Sequence, residues 1–529
     1  MILNILITIL MLLILKQGGK YIKNFLKRRK FPGYKDVPVV KGKLPFIGHG
    51  LSFQQDIIKF VRTCRAKYGN VFRIKIFNND MVVICDRSLV PEYFKLTEKE
   101  MSLYTYLKRL YFGKAFSEDP AFFDILIPIV KKAISVNYEE FSKKILDEAD
   151  KMSERLARKN GSRIHLAEEM SQFVSQTSAR CFTNMSIEGE FFEALKAFSH
   201  LLNQIVVLTY FMPKWLLYLL FNRKLASYRR TMTQLMVPEI QKYRVDKTKR
   251  DSVIFRRAVD YNENGKNLSD EDIGGIIICL MYVSSENTSL GLTAALTDLA
   301  CNPTYWNRVR EESASNIQHY LTTKDASKIF SSPLIKACVM ESARLNNHVF
   351  SLSRTPISSC TIGNYYVGEV DTVAICGPML MVHECASDKF ESPKQYDPER
   401  FLSGRENYNS ESVLNWGAGV HLCPGKQFAI YEWMAAITTI TTKFERFNLS
   451  YDTVEQLDYF SPAVFAERRN LTVEIHKIGA LQDQSSESVG ENEEIPNEKK
   501  EAKIRKIRSS ETLASTDSDD SEDSAGKSM

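Results

Sequence analysis

Residues 415–425 read Asn415-Trp416-Gly417-Ala418-Gly419-Val420-His421-Leu422-Cys423-Pro424-Gly425, and the run KQFAIYEWMAAITTI (426–440) continues as a helix. Two glycines and an alanine let this backbone lie close to a flat cofactor. A loop ending at a helix N-terminus points backbone N–H groups at the Cys423 sulfur, which favours thiolate over thiol. The same donors weaken electron donation by the sulfur and keep a reduction potential in a usable range. Trp416 is placed to shield the sulfur from solvent. The other nine cysteines, Cys64, Cys85, Cys181, Cys279, Cys301, Cys338, Cys360, Cys376 and Cys385, contain no C-x-x-C pair, so neither a zinc site nor a disulfide framework is indicated. They read as small buried hydrophobes in a reducing compartment.

Two patterns lie upstream. Glu341-Ser342-Ala343-Arg344 puts a carboxylate and a guanidinium one helical turn apart on the same face. Pro398-Glu399-Arg400-Phe401 adds a second arginine. Each is weak alone, since most such ion pairs are exposed. Their order ahead of the cysteine loop makes them specific. Together the three stretches resemble the cytochrome P450 family, whose haem-binding loop reads Phe-Gly-x-Gly-x-Arg/His-x-Cys-x-Gly, with Trp416 here in place of phenylalanine. The resemblance covers roughly residues 38–480. It implies a mainly α fold with small β-sheets (α+β), the cytochrome P450 fold, with haem between a long distal helix and the helix that follows Cys423. Cys423 would be the axial ligand of the haem iron, with Gly417 and Trp416 beside the cofactor. Glu341, Arg344 and Arg400 would form a buried network behind it.

The distal helix of this resemblance is IGGIIICLMYVSSENTSLGLTAAL (273–296). Aligning Thr288 with the family's oxygen-site threonine puts Ser284 and Ser285 where Ala-Gly is usual and Asn287 where an acid is usual. Serine is still small, and its hydroxyl can hold a water. Asn287 cannot titrate. Proton delivery then rests on Thr288 and water, with Glu286 as a candidate acid; the competing readings are a solvated or helix-paired Glu286 and a Thr288 that back-bonds to the preceding turn. The stretch Tyr104–Lys114 is similar to the segment before the C helix of sterol 14α-demethylases, which implies that Tyr104 bonds one haem propionate. Arg354 and His421 match that group's other propionate contacts, and Lys131 or Lys132 adds a further cation; cations beside carboxylates make charge-assisted bonds. The group's Gly-Gln-His-Thr signature is replaced by Ser285-Glu286-Asn287-Thr288.

The resemblance implies a haem-thiolate monooxygenase using haem b and O2, with NADPH electrons arriving through a separate flavoprotein reductase or other donor, because the chain has no glycine-rich dinucleotide fingerprint. Two other readings stand beside it: a reductase-independent isomerase or dehydratase of lipid peroxides, and a non-catalytic haem-binding protein. The apolar stretch 205–221 and the apolar N-terminus point to a lipophilic substrate, a sterol or another lipid.

Residues 1–15, MILNILITILMLLIL, carry no charge, and residues 16–30 carry seven positive charges. Charge after the apolar run favours an uncleaved anchor over a secretory signal, with the basic side and the catalytic domain cytosolic. The run is short for a span, so an interfacial helix and a cleaved signal remain alternatives. An endoplasmic-reticulum-like membrane fits. The expected organisation is an anchor with basic flank over 1–30, a Pro/Gly linker over 31–50, the catalytic domain over 51–480 and a disordered acidic serine-rich tail over 481–529. That tail carries 13 acidic and 7 basic residues, so the net +6 of the whole chain leaves +12 on the rest. Such a body favours anionic partners, and no nucleic-acid motif is present.

In between, helical periodicity covers Asp56–Tyr68, a hairpin is predicted from VFRIKIF (71–77) and MVVIC (81–85) around an Asn78–Asp80 turn, and strands are expected near TPISSCTI, YYVGEVDTVAI and LTVEI. The apolar stretch 205–221 contains Pro213 and Lys214. A lysine at mid-membrane costs about 2.5–3.5 kcal/mol, so two helices meeting at Pro213 and dipping into a bilayer are expected rather than a span, with plain core packing as the alternative.

Overall fold

The computed structural model describes residues 28–478 except 46, 78, 135–137, 211, 247–252, 264–265, 347–350, 369, 409–411 and 450–471. The expected anchor, apart from its last residues, and the acidic tail lie outside the described residues. The chain divides into two units, Met1–Lys477 and Ile478–Met529, and every described helix and strand belongs to the first.

Helix α1 (Ile57–Tyr68) starts where the Asp56 carboxylate accepts the Lys59 amide at 2.8 Å, and it stops at Gly69, whose φ of 91° suits only glycine. The hairpin follows as β1 (Val71–Ile76) and β2 (Asn79–Ile84); Ile76 pairs with Asn79, so the strand resumes inside the predicted turn. β3 (Met101–Ser102) leads into α2 (Leu103–Arg109). Helices α3 (Phe122–Ile134) and α4 (Tyr138–Ala157), the short strand β4 (Arg163–His165) and α5 (Leu166–Thr183) come next. Then α6 (Glu190–Leu208) ends five residues before Pro213, which caps α7 (Lys214–Val245) in an extended conformation. The stretch 205–221 is therefore divided between two helices, as expected, and the second starts directly after Pro213, whose missing N–H costs nothing at a helix start.

The central helix is α8 (Asp270–Cys301), opened by a capping box in which Ser269 and Asp272 satisfy each other's backbone N–H groups. It packs against α5, α7, α9 (Pro333–Leu345) and α11 (Lys426–Lys443), which explains why it is apolar all round. Both α6 and α8 are long and apolar enough to cross a membrane, but 50% and 72% of their apolar windows are buried inside the protein.

Strands β5 (Ser351–Pro356) and β6 (Thr372–Cys376) complete a five-stranded sheet of order β1-β2-β6-β5-β3, with β6 parallel to β2 and antiparallel to β5. The short helix α10 (Glu399–Leu402) carries the PERF arginine. Beyond α11, β7 (Phe444–Leu449) and β8 (Thr472–Lys477) pair, and β8 also pairs with β4. Neither β4 nor β7 was predicted. Three residues are too few to show a period, and FERFNL continues the pattern of the helix before it.

Within α11 lies Glu432, fully buried, with neither carboxyl oxygen hydrogen-bonded. Burial pushes this acid well above the usual carboxyl range. The folded state therefore holds a proton that the unfolded chain releases above its ordinary value of about 4.5. The stability tied to that proton is complete below that value and is lost as pH rises, at about 1.4 kcal/mol per pH unit, until the folded value is reached. Glu432→Gln is expected to remove this slope. Melting curves from pH 5 to 8 should show the variant gaining on the parent as pH rises; parallel curves would contradict a buried neutral acid.

Candidate active site

The cysteine loop is folded by its glycines. Gly417 and Gly419 have φ of 66° and 64°, and a Cβ on Gly419 would meet the Phe94 carbonyl oxygen at 2.8 Å. The Cys423 amide donates to the Trp416 carbonyl at 2.8 Å, closing the turn. α11 then begins at Lys426 with no side-chain cap. Burial pushes the Cys423 thiol up; the amide N–H groups of Gly425 and Lys426 and the Lys426 ammonium act against it. The loop is pinned from behind, because the Asn415 amide donates to the carbonyls of Ala343 and Asn346, at 2.7 and 3.3 Å, at the end of α9.

The three network side chains meet there. Arg344 donates to both Glu341 oxygens at 2.8 and 2.7 Å and to the carbonyls of Met381 and Pro393. Arg400 Nε donates to Glu341 Oε1 at 3.2 Å. Glu341 and Arg344 are 0% exposed and Arg400 3%.

Facing the sulfur is a cavity of about 460 Å³ whose walls are mostly apolar. Cys423, Trp416, His421, Tyr104, Lys131 and Thr288 all line it. Ser284, Asn287 and Thr288 face it together, as residues three and four apart on α8 must. Glu286 does not. It sits two residues before Thr288, ~200° round the helix, and its carboxylate accepts the Asn203 amide of α6 at 2.9 Å. The carboxylate of Glu286, the candidate acid, thus points to α6 and is not among the residues lining the cavity. The Asn287 amide nitrogen turns back to the Val283 carbonyl at 3.0 Å. The hydroxyls of Ser284 and Ser285 pair with α5: Ser284 with Ser178 at 2.6 Å and Ser285 with Ser175 at 2.9 Å. Thr293 and Thr297 on the same helix back-bond to the preceding turn, at 2.8 and 2.7 Å. Thr288 makes no such bond, and its carbonyl instead accepts the Trp433 indole N–H at 2.9 Å.

Tyr104, His421 and Lys131 line the cavity; Arg354 does not, but its charge acts on His421. Tyr104 stacks on Phe123 and meets His421 edge-on at 5.5 Å. His421 Nε2 lies 2.6 Å from Glu98 Oε1. Burial and the nearby Arg354 charge lower His421 below the usual imidazole value, against Glu98. Arg354 is 2% exposed; its Nη1 donates to the carbonyls of Tyr93 and Leu96, and its Nη2 has no hydrogen-bond partner. An unpaired buried guanidinium nitrogen is costly, and a carboxylate would satisfy it. Lys131 Nζ donates to the Val420 carbonyl at 3.3 Å and reaches the cavity. The side chain of Lys132 lies outside the described residues, so of the two lysines considered only Lys131 is placed here. These residues fit haem: Cys423 would hold its iron, the apolar walls would take the porphyrin, and Lys131 with the unpaired Arg354 Nη2 would be available to its carboxylates. Glu98 and Trp433 were not predicted as site residues. Glu98 carries no motif, and Trp433 sits in a run that reads as core.

A model of the cytochrome P450 family matches residues 38–470. The chain belongs to the cytochrome P450 family. A relative from Acanthamoeba polyphaga mimivirus, described as a probable lanosterol 14-alpha demethylase, is 47% identical over 462 residues, which is 86% of this chain. The match spans 64% of that relative's own length. The mouse and human lanosterol 14-alpha demethylases are each 20% identical over 78% of this chain and 82% of theirs. Among solved structures, the crystal structure of cytochrome P450DA heme domain superposes with a TM-score of 0.67 at 18% identity, covering 84% of this chain and 98% of that one. That likeness establishes the fold.

Proposed function

We propose that this chain is a haem-thiolate monooxygenase that inserts one oxygen atom from O2 into a sterol-class lipid, with electrons from NADPH delivered by a separate flavoprotein reductase. The observation that carries the reading is the placement of the Cys423 sulfur and an unbonded Thr288 hydroxyl in the walls of one apolar cavity. Bound haem supplies the oxygen activation and transfer. The protein's part is to hold the thiolate at Cys423, to seat the propionates on Tyr104, His421, Arg354 and Lys131, and to keep a protic group over the cavity at Thr288 Oγ1. With Asn287 unable to titrate and Glu286 turned to Asn203, Thr288 and water carry the proton. The relatives named as lanosterol demethylases and the apolar walls support a sterol substrate. A route from a bilayer is supported by the first turns of α7, where Trp215 is 68% and Leu219 71% exposed beside Lys214, Arg223 and Lys224. The N-terminal anchor belongs to the same proposal.

Reconstitution with a flavoprotein reductase, NADPH and lanosterol tests it. The expected result is a substrate-induced spin-state shift and NADPH-dependent sterol oxidation. Thr288→Ala should keep the binding shift while sterol oxidation falls by about a hundredfold or more, the scale of one positioned proton donor, and more of the NADPH electrons leave as peroxide. Binding of small polar molecules alone would refute the substrate class. Turnover of a lipid hydroperoxide without NADPH would replace the oxygenase by the isomerase reading, which has no use for the Thr288 hydroxyl.

A further inference from the structure

Lys426 is the first residue of α11, three after Cys423. Its side chain does not extend into solvent. The ammonium donates to the Tyr408 carbonyl at 3.0 Å and lies over the Trp416 indole, 5.3 Å from the ring centroid. Trp416 is the residue whose carbonyl takes the Cys423 amide, so the cation is folded back over the turn that presents the sulfur. A second cation, Lys336 of α9, lies 4.7 Å from the centroid of the Tyr408 ring. Among the described residues neither lysine has a carboxylate within ion-pair distance. Both are half-buried.

A cation withdrawn from water without an acid is unfavourable unless another negative charge or π face compensates it. Aromatic faces supply part of the compensation here. The Lys426 charge favours the anionic form of the Cys423 sulfur, which already receives the amide of the same residue. Backbone N–H groups would stabilise a thiolate in any chain with this turn; the ammonium is an addition specific to the side chain at 426.

We infer that Lys426 is the built-in counter-charge of the Cys423 thiolate and that it raises the reduction potential of the iron the thiolate holds. The inference rests on the haem-thiolate reading. Adding one electron to the site makes it more negative, and a fixed cation nearby stabilises that state more than the oxidised one. Electron uptake from the reductase is then easier in the loaded protein. Lys336 acts in the same direction from further out. Lys426 is a positioning residue, since it touches neither substrate nor the reacting atoms.

The test is a spectroelectrochemical titration of the purified holoprotein beside Lys426→Gln, Lys426→Arg and Lys336→Gln, with the reduced carbon-monoxide spectrum and the melting temperature recorded for each. Lys426→Gln is expected to lower the one-electron reduction equilibrium about tenfold, or about 59 mV. Lys426→Arg should stay within about twofold of the parent, because charge and stacking are retained. Lys336→Gln should lower it by about threefold without disturbing the Lys426–Tyr408 contact. A Lys426→Gln potential equal to the parent's, with the thiolate-type band intact, overturns the inference and leaves the haem-thiolate reading standing. No thiolate-type band in the unsubstituted protein overturns both. Should Lys426→Gln fail to take up haem, Lys336→Gln decides, and an unchanged potential there rejects the field effect.

Discussion

Replacing Cys423 by alanine is expected to abolish the red-shifted band of the reduced, carbon-monoxide-bound protein and to reduce oxygenase turnover by at least about a thousandfold, about 4 kcal/mol of barrier. The fold should survive. The side chain faces a cavity, so losing one sulfur enlarges an existing space rather than opening a void in a packed core, and the turn around it is closed by backbone bonds, Cys423 N–H to Trp416 O and Leu422 N–H to Gly419 O, that alanine keeps. The neighbouring histidine does not offer a ligand there. His421 is two residues away, but its Nε2 faces the Glu98 carboxylate. Cys423→His is the informative companion, since an imidazole at that position should give the band of a histidine-ligated haem with little oxygenase chemistry. Circular dichroism separates loss of ligand from loss of fold. A thiolate-type band that persists in the alanine variant would remove the basis of the functional proposal.

What could be read from the chain divides by sequence distance. The cysteine loop, the Glu341–Arg344 pair and the facing of Thr288 are local: their geometry follows from a turn, a helix start or a one-turn spacing. Even the position of Glu286 was legible in principle, because two residues before Thr288 is the opposite side of any helix. Choosing between Lys131 and Lys132 was a question of helical phase that a gapped alignment obscured. The distal serines are different. Their partners Ser178 and Ser175 lie 106 and 110 residues away, and nothing in SSENT announces that α5 will present hydroxyls to it. The same holds for Glu98 against His421 and Trp433 against Thr288. Pro213 was legible as a helix boundary because proline is a backbone constraint, whereas β7 and β4 form only because β8 arrives between them from elsewhere in the chain.

The network behind the loop yields the largest expected effect on stability. Glu341 is the sole carboxylate hydrogen-bonded to both Arg344 and Arg400 among the described residues, so Glu341→Ala leaves two guanidinium groups in a dry interior. Breaking a buried pair in this way costs about 3–5 kcal/mol, a large share of the roughly 5–15 kcal/mol that holds a domain folded. The expected outcome is a variant that accumulates poorly and unfolds at much lower urea, with haem lost first. The order follows from connectivity. Arg344 also grips the Met381 and Pro393 carbonyls, and Asn415 hangs the cysteine loop on Ala343 and Asn346 of the same helix end, so loosening α9 loosens the sulfur. Glu341→Gln keeps an acceptor but not the charge and should fall between the parent and alanine. Arg344→Met alone leaves Glu341 paired with Arg400, while the carbonyls of Met381, Pro393 and Gln395 lose their donor. The double variant Glu341→Gln/Arg344→Met should therefore be less unstable than the two single losses added together, with a coupling of about 1–3 kcal/mol. Urea midpoints of the four proteins measure it. Additive losses would mean that Glu341 and Arg344 act independently, and the one-to-two ion arrangement would then not be what secures the loop.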